Sequence, residues 1–130
     1  MPAEDLLKKA RSVAGRAYAP YSGFNVGAAL LMSDGSVVLG CNVENSSYGM
    51  TICAEMGAVA GMVSMGHTVP AAIAVAGGKP GTPCPPCGAC RQILAEFNPD
   101  MPVVLESPGG IIVMTVKELL PFSFSLTERK

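Results

Sequence analysis

The 130-residue sequence has no tryptophan and a single histidine, and aromatic residues make up only 5% of it. Charge is also scarce, since 15% of the residues are charged, the net charge is −1, and no basic run or acidic tail is present. Nucleic-acid-binding proteins usually carry a basic patch, so this composition favours a small, weakly charged ligand over RNA or DNA. No apolar run reaches the roughly 18 residues that a membrane-spanning helix needs, so we expect no membrane partner.

The cysteines argue against a disulfide scaffold. There are five of them, an odd number, and three lie between positions 84 and 90. Small secreted scaffolds usually have an even number of cysteines, whereas clustered cysteines favour a metal site in a reducing compartment. The first five residues are polar and acidic, so we expect no signal peptide and a cytoplasmic protein.

The rest of the composition is that of a folded domain. Hydrophobic residues make up 49% of the chain, and its length suffices to bury a core without disulfides. We find no repeat or linker and predict one domain over residues 1–130. Apolar spacing and turn residues predict helices over 3–18, 53–65, 87–97 and just after Thr115, and strands over 24–32, 37–43, 71–76, 101–105 and 111–114.

This order of elements, αββαβαββα, predicts an α/β protein whose sheet is covered on both faces. The Asp34-Gly35 turn predicts an antiparallel hairpin of the first two strands, and the later crossovers favour parallel neighbours. Gly57 and Gly61 lie inside the helix that begins at Cys53, where each costs roughly 1 kcal/mol relative to alanine. We interpret this helix face as packed closely against the sheet or against another subunit.

Two short segments carry the chemistry, C-A-E at 53–55 and P-C-G-A-C at 86–90. A catalytic zinc site typically has three protein ligands and keeps the fourth position for water, and Cys53, Cys87 and Cys90 can supply those ligands. Glu55 lies beside the first ligand, where its carboxylate can take a proton from the water and return it later. Both groups of cysteines begin predicted helices, whose free N–H groups favour thiolates.

The same cysteines allow other interpretations. Cys84 forms a second C-x-x-C with Cys87, so four cysteines could form a closed structural zinc site, with Cys53 or Cys41 among them. Such a site would need no Glu55. A thioredoxin-like redox pair is a further alternative.

A C-x-E segment followed by P-C-x-x-C is typical of zinc deaminases, whose first ligand is His or Cys. Further segments resemble the small zinc-dependent cytidine deaminases, and together they extend over nearly the whole chain. They are A-P-Y-S at 19–22, V-G-A-A at 26–29, G-C-N-V-E-N at 40–45, S-Y-G at 47–49, P-C-G-A-C-R-Q at 86–92 and L-L-P-F at 119–122.

The resemblance implies a three-layer α/β/α sandwich with a five-stranded mixed sheet, usually assembled as a homotetramer whose sites are completed by neighbouring subunits. It implies hydrolytic deamination of cytidine and 2′-deoxycytidine in pyrimidine salvage, with one Zn²⁺ per subunit and Glu55 as the proton shuttle. The substrate contacts that it implies are Phe24 on the pyrimidine, Asn42 and Glu44 on the ribose hydroxyls, Ala54, and, from a neighbouring subunit, Tyr48 and Phe124 or Phe122. From the residues alone, Phe24 could equally be a core strand residue, and Asn42 to Glu44 a polar turn.

One position departs from the family. Many members with three cysteine ligands have arginine directly after the C-A-E glutamate, and this chain has Met56. Three thiolates leave the zinc site with a net negative charge, which weakens the metal as a Lewis acid. We therefore expect the helix N–H groups to contribute more, or Arg91 to substitute.

Three alternative functions remain at this point. One is deamination of a cytosine-bearing antibiotic such as blasticidin S, although Asn42 and Glu44 favour a ribose ligand. The second is a non-enzymatic zinc module, which could bind RNA. The third is a deaminase that edits RNA or DNA. The near-neutral charge argues against both nucleic-acid alternatives.

Overall fold

The computed structural model describes residues 1–126, so residues 127–130 of the predicted polar tail lie outside the described range. The elements are α1 (Ala3–Ala14), β1 (Val26–Met32), β2 (Val37–Cys41), a 3₁₀ helix (Tyr48–Met50), α2 (Ala54–Ser64), β3 (Pro70–Gly77), α3 (Gly88–Phe97), β4 (Pro102–Ser107), β5 (Gly110–Thr115) and α4 (Val116–Leu119). The predicted order is confirmed, and the 3₁₀ helix is an addition. No helix within residues 1–126 combines the length and the apolar character needed to cross a bilayer.

The five strands form one mixed sheet in the order β2-β1-β3-β4-β5. The predicted antiparallel hairpin of β1 and β2 is confirmed, and β3 pairs with β4 in parallel. The prediction of parallel neighbours was wrong for β1 and β3, which are antiparallel, and β4 and β5 form a second antiparallel pair. The reason is that the connection from β2 through α2 crosses over β1, so that β3 joins the sheet on the other side of β1. β3 is therefore parallel to β2, but its hydrogen bonds go to the oppositely directed β1.

Helices cover both faces of the sheet, which confirms the three-layer α/β/α prediction. α1 places Leu6 and Ala10 in a cluster with Ala74 of β3 on one face. α2 and α3 contribute Met62 and Leu94 to the larger cluster on the other face. α2 follows β2 and α3 follows β3, and these strands run in the same direction. Both helices therefore begin at the same edge of the sheet.

α2 lies exceptionally close to β2. A Cβ atom on Gly40 would lie 2.3 Å from the carbonyl oxygen of Ala54 and 2.6 Å from the nitrogen of Ala58. A Cβ atom on Gly57 would lie 3.8 Å from its nearest neighbour across the contact, the carbonyl oxygen of Cys41. The helix is thus packed against the sheet, the first of the two predicted arrangements, but the glycine that permits the contact belongs to the strand.

The segment between α1 and β1 differs from the prediction. α1 ends at Ala14 rather than at residue 18. The Tyr18 N–H donates to the Asn42 carbonyl at 3.0 Å, and the Glu44 N–H donates to the Tyr18 carbonyl at 2.8 Å. Tyr18 thereby forms a parallel bridge with Val43, and this long-range pairing replaces the last predicted turn of helix.

β1 begins at Val26, two residues later than predicted, because the Asn42 side chain takes the place of a neighbouring strand. Asn42 Nδ2 donates to the Phe24 carbonyl at 2.9 Å, and the Val26 N–H donates to Asn42 Oδ1 at 2.8 Å. Phe24 therefore lies in the loop before the strand.

Candidate active site

The three predicted zinc ligands converge at the N-termini of two helices. Cys53 is the N-cap of α2, Cys87 is the N-cap of α3, and Cys90 lies in the first turn of α3. Their Sγ atoms all lie within 4.8 Å of one another. Zn–S bonds of ~2.3 Å in a tetrahedral site place two sulfurs about 3.8 Å apart. The cluster therefore fits one zinc ion with only a small adjustment of the side chains.

The electrostatics of the three thiols differ. Burial raises the pKa of Cys90 and of Cys53, whereas the backbone N–H of Cys90 lowers the pKa of Cys87. A metal cation deprotonates the thiols that coordinate it. The donor set therefore suits a cation, with the start of α3 stabilising the Cys87 thiolate.

Glu55 lies in the first turn of α2, is 4% exposed, and lines the same cavity of about 200 Å³ as the three cysteines. A glutamate that only complements the helix dipole would be exposed to solvent. Burial raises the pKa of Glu55. A buried carboxyl group with a raised pKa holds a proton more readily than an exposed one, which is what a proton shuttle requires.

The remaining wall of this metal cavity includes two predicted substrate contacts, Asn42 and Ala54. Four other residues line this cavity, and the sequence did not predict them in its wall; they are Val26, Thr51, Cys84, which was considered only as an alternative zinc ligand, and Pro85. Cys84 lines the wall but does not belong to the sulfur cluster. The three ligands thus leave one position open toward a cavity, which is the arrangement of a catalytic zinc site rather than of a closed structural one.

A second cavity, of about 390 Å³, adjoins the metal cavity through Thr51, which lines both. Glu44 and Tyr48 lie in its wall. Glu44 Oε1 accepts hydrogen bonds from the N–H groups of Tyr21 at 3.0 Å and Ser22 at 3.1 Å. The Ser22 hydroxyl also donates to Glu44 and holds its pKa below the ordinary value, so this carboxylate stays a charged acceptor.

Phe24 is partly exposed to solvent, and Asn42 lines the metal cavity, although both also take part in local structure. Phe24 is 48% exposed and lies outside β1, so it is not a core strand residue. Its ring contacts Gly78, where a Cβ would lie 2.8 Å from the ring atom Cε1. Asn42 is 8% exposed, holds the start of β1, and still lines the metal cavity.

The aromatic residues near the C-terminus lie outside both of these cavities. Phe124 is 70% exposed and lines a separate hollow over α3, where the Gln92 amide donates to its carbonyl at 3.1 Å. Within one chain, the structure does not bring Phe124 together with the cysteines and Glu55.

Arg91 holds the loop that carries the zinc ligands. Its Nε donates to the Pro86 carbonyl at 2.8 Å, and its Nη1 donates to the Leu119 carbonyl at 2.8 Å. These bonds direct the guanidinium to backbone carbonyls and not to a ligand sulfur, so the predicted compensation for Met56 by Arg91 as a sulfur partner is not seen.

Sequence and structure comparisons with known proteins agree on one family. The family model for the cytidine and deoxycytidylate deaminase zinc-binding region matches residues 1–106. The chain is 50% identical to a cytidine deaminase of Halalkalibacterium halodurans, over 96% of each chain. This chain belongs to the cytidine deaminase family. The crystal structure of a cytidine deaminase from Burkholderia pseudomallei superposes with a TM-score of 0.89 at 45% identity, covering 95% of this chain and all of that one.

Membership in this family accounts for the metal cavity. The matched family region is a zinc-binding one, and the three-cysteine cluster is suited to one zinc ion. A blasticidin-S deaminase of Bacillus cereus is more distant, at 29% identity over 78% of this chain and 77% of its own length. The chain is thus more similar to the cytidine deaminase than to this antibiotic deaminase.

Proposed function

We propose that this protein hydrolyses cytidine and 2′-deoxycytidine to uridine and 2′-deoxyuridine with release of ammonia, as an enzyme of pyrimidine salvage. The observation that carries the proposal is the convergence of three cysteine sulfurs and buried Glu55 on one open cavity. The relatives named above support the nucleoside substrate, because they are cytidine deaminases and match almost the full chain.

The chemistry then divides between the metal and the carboxylate. When bound to Cys53, Cys87 and Cys90, zinc supplies a Lewis acid that lowers the pKa of a water molecule. Glu55 accepts the proton of that water as its oxygen adds to C4 of the pyrimidine. Glu55 donates this proton to N3, then takes the remaining proton of the hydroxyl on C4 and transfers it to the amino group. The C4–N bond breaks as the C4 carbonyl forms, so that cytidine and water become uridine and ammonia.

The other side chains bind and orient the nucleoside. Phe24 provides an aromatic face for the flat base, and Ala54 contributes to the wall beside the metal. Asn42 and Glu44 hold the ribose hydroxyls. When a bound ligand covers such a hydrogen-bonding pair, ligands that lack the matching hydroxyl are rejected, which favours a nucleoside over blasticidin S.

We further propose a cytoplasmic homotetramer in which Tyr48 and Phe124 complete the sites of neighbouring subunits. The support is that both rings are largely exposed in the isolated chain, at 77% and 70%. A reducing compartment would keep the five cysteines free, as they are in the structure.

The proposed role of Glu55 is tested by Glu55→Gln, which keeps the shape of the side chain but removes the carboxylate. We expect bound zinc to be unchanged and kcat for cytidine to fall by about 10²–10⁴-fold, the usual contribution of a general acid–base group. Glu4→Gln, at an exposed position in α1, is the matched control and should leave kcat unchanged. A Glu55→Gln protein with near wild-type turnover would exclude Glu55 as the proton shuttle.

A further inference from the structure

Ser22 ends the A-P-Y-S segment, and the resemblance assigns it no substrate contact, but it links two of the proposed contacts. Ser22 Oγ donates a hydrogen bond to Glu44 Oε2 and accepts one from the Phe24 N–H at 3.0 Å. The Ser22 N–H donates to the other oxygen of the same carboxylate at 3.1 Å. Ser22 therefore contacts both oxygens of Glu44 and the backbone of Phe24.

The connection continues to the third proposed contact. The Phe24 carbonyl accepts from Asn42 Nδ2 at 2.9 Å, and Asn42 Oδ1 accepts from the Val26 N–H at 2.8 Å. Glu44, Ser22, Phe24 and Asn42 thus form one continuous series of hydrogen bonds that is anchored on the first residue of β1. A displacement of Ser22 would move the ribose contact and the base contact relative to each other.

Two glycines, Gly23 and Gly78, shape the surroundings of Ser22 and Phe24. Gly23, between Ser22 and Phe24, has φ of +68°, which residues with a side chain adopt at a cost. On the other side, the Phe24 ring lies directly against Gly78, where a Cβ would approach its Cε1 to 2.8 Å. The turn therefore needs glycine at position 23, and the Phe24 ring packs against the residue that follows β3.

The bonding of Glu44 leaves room for a ligand on one oxygen. Oε1 already accepts two N–H groups, from Tyr21 and Ser22. Oε2 accepts only the Ser22 hydroxyl within the described residues. Because a carboxylate oxygen can accept about two hydrogen bonds, Oε2 can accept one more, from a hydroxyl of the substrate.

We propose that Ser22 is the positioning residue of the nucleoside site: it orients Glu44 so that Oε2 faces a sugar hydroxyl while Phe24 stays in place for the base. This inference rests on the proposed deamination of cytidine. Ser22 touches neither the metal ligands nor Glu55, so its loss acts on substrate binding and not on the chemical step.

A purely structural role for Ser22 is the competing explanation, because a serine hydroxyl often stabilises its own turn. The two roles differ in their dependence on the substrate. A positioning role weakens binding most for nucleosides that carry the hydroxyl held by Glu44. A structural role affects every substrate equally and lowers the unfolding temperature.

The test compares steady-state kinetics of wild type, Ser22→Ala and Ser22→Thr on cytidine, 2′-deoxycytidine and 2′,3′-dideoxycytidine. The matched control is Ser36→Ala, which removes a serine hydroxyl that donates to the carboxylate of Asp34 at 2.6 Å in the β1–β2 turn, away from both cavities. Zinc content and thermal unfolding are measured for each variant.

We expect Ser22→Ala to raise KM for cytidine and 2′-deoxycytidine roughly tenfold, the effect of one hydrogen bond to a charged group, with kcat changed less than about twofold. KM for the dideoxynucleoside should rise less than about threefold, and Ser22→Thr should restore most of the loss. Ser36→Ala should match wild type.

Two results would overturn the inference while wild type still turns over cytidine: an unchanged KM in Ser22→Ala, or an equal rise in KM for all three nucleosides. A wild-type protein that holds zinc but deaminates no cytidine would overturn the proposed function and this inference together.

Discussion

Asn42 and Glu55 are the two polar side chains that are buried among the described residues 1–126, and both line the metal cavity. Burial of a polar or ionisable group carries a free-energy cost unless hydrogen bonds or charges compensate it. Asn42 is compensated by two backbone bonds, whereas burial raises the pKa of Glu55. Their concentration at one cavity supports a chemical use of the site.

At the residue scale, the pH dependence of substrate binding should reveal the contact between Ser22 and Glu44. The pKa of Glu44 lies below its ordinary value of 4.5, mainly because the Ser22 hydroxyl donates to the carboxylate. A lowered pKa keeps the carboxylate charged as the pH falls. In Ser22→Ala the pKa should return upward, so protonation begins at a higher pH.

The measurement is the ratio of KM for cytidine between Ser22→Ala and wild type, from pH 7 to pH 4, a range that includes the ordinary pKa of 4.5. We expect this ratio to increase as the pH falls, because the variant loses the Glu44 charge first. Effects of acid on the zinc ligands cancel in the ratio, since both proteins share them. A ratio independent of pH would show that the hydroxyl does not control the ionisation of Glu44.

At the scale of the elements, the site depends on two helices that begin at one edge of the sheet. The sequence predicted both beginnings, at Cys53 and at Cys87, and also a helix just after Thr115, which begins with a capping box of Thr115 and Glu118 in the structure. These features are local, since a few neighbouring residues determine them.

Features that depend on distant parts of the chain were not predictable in the same way. The bridge of Tyr18 with Val43 and the side-chain bonds of Asn42 displaced the predicted ends of α1 and β1. The antiparallel pairing of β1 with β3 depends on where the α2 crossover returns to the sheet. Thr51 and Cys84 line the cavity because of the conformation of their loops, and no sequence motif predicts that conformation.

The closeness of α2 to β2 gives a prediction about stability. Gly40→Ala should destabilise the protein by about 1–3 kcal/mol, because the new methyl group would meet backbone atoms of α2 that cannot move aside. It should also weaken zinc binding, since Cys53 is the N-cap of that helix. Chemical unfolding and zinc titration of the variant measure the two effects.

Gly57→Ala is the matched control within the same contact. The added Cβ would lie 3.8 Å from the carbonyl oxygen of Cys41, an ordinary contact distance. Because alanine is favoured over glycine in a helix by about 1 kcal/mol, this variant should be as stable as wild type or more stable. If Gly40→Ala were as stable as Gly57→Ala, the close approach of α2 to β2 would not be needed for the fold.

At the scale of the whole molecule, the proposed homotetramer concerns two exposed aromatic side chains. Tyr48 and Phe124 are 77% and 70% exposed, yet the proposed function assigns them to a substrate site. Phe124 lies over α3 and outside the metal cavity of its own chain. Its contribution to catalysis therefore requires a second subunit.

Subunit mixing tests this arrangement. Glu55→Gln and Phe124→Ala should each have low activity alone, whereas their mixture, refolded together, should exceed the sum of the two. In a hybrid, one chain supplies Glu55 and its neighbour supplies Phe124. A mixture of Glu55→Gln with Cys87→Ala is the control without recovery, because both residues belong to the same chain's site. The absence of recovery in the first mixture would exclude Phe124 as an intersubunit contact.

The most direct test of the central claim is the ultraviolet absorbance of cytidine in the presence of the zinc-loaded protein, with released ammonia measured in parallel. We expect the absorbance change of conversion to uridine, one ammonia for each cytidine consumed, loss of activity on removal of zinc, and recovery when zinc is returned. A folded protein with one zinc ion per chain that leaves cytidine intact would contradict the account.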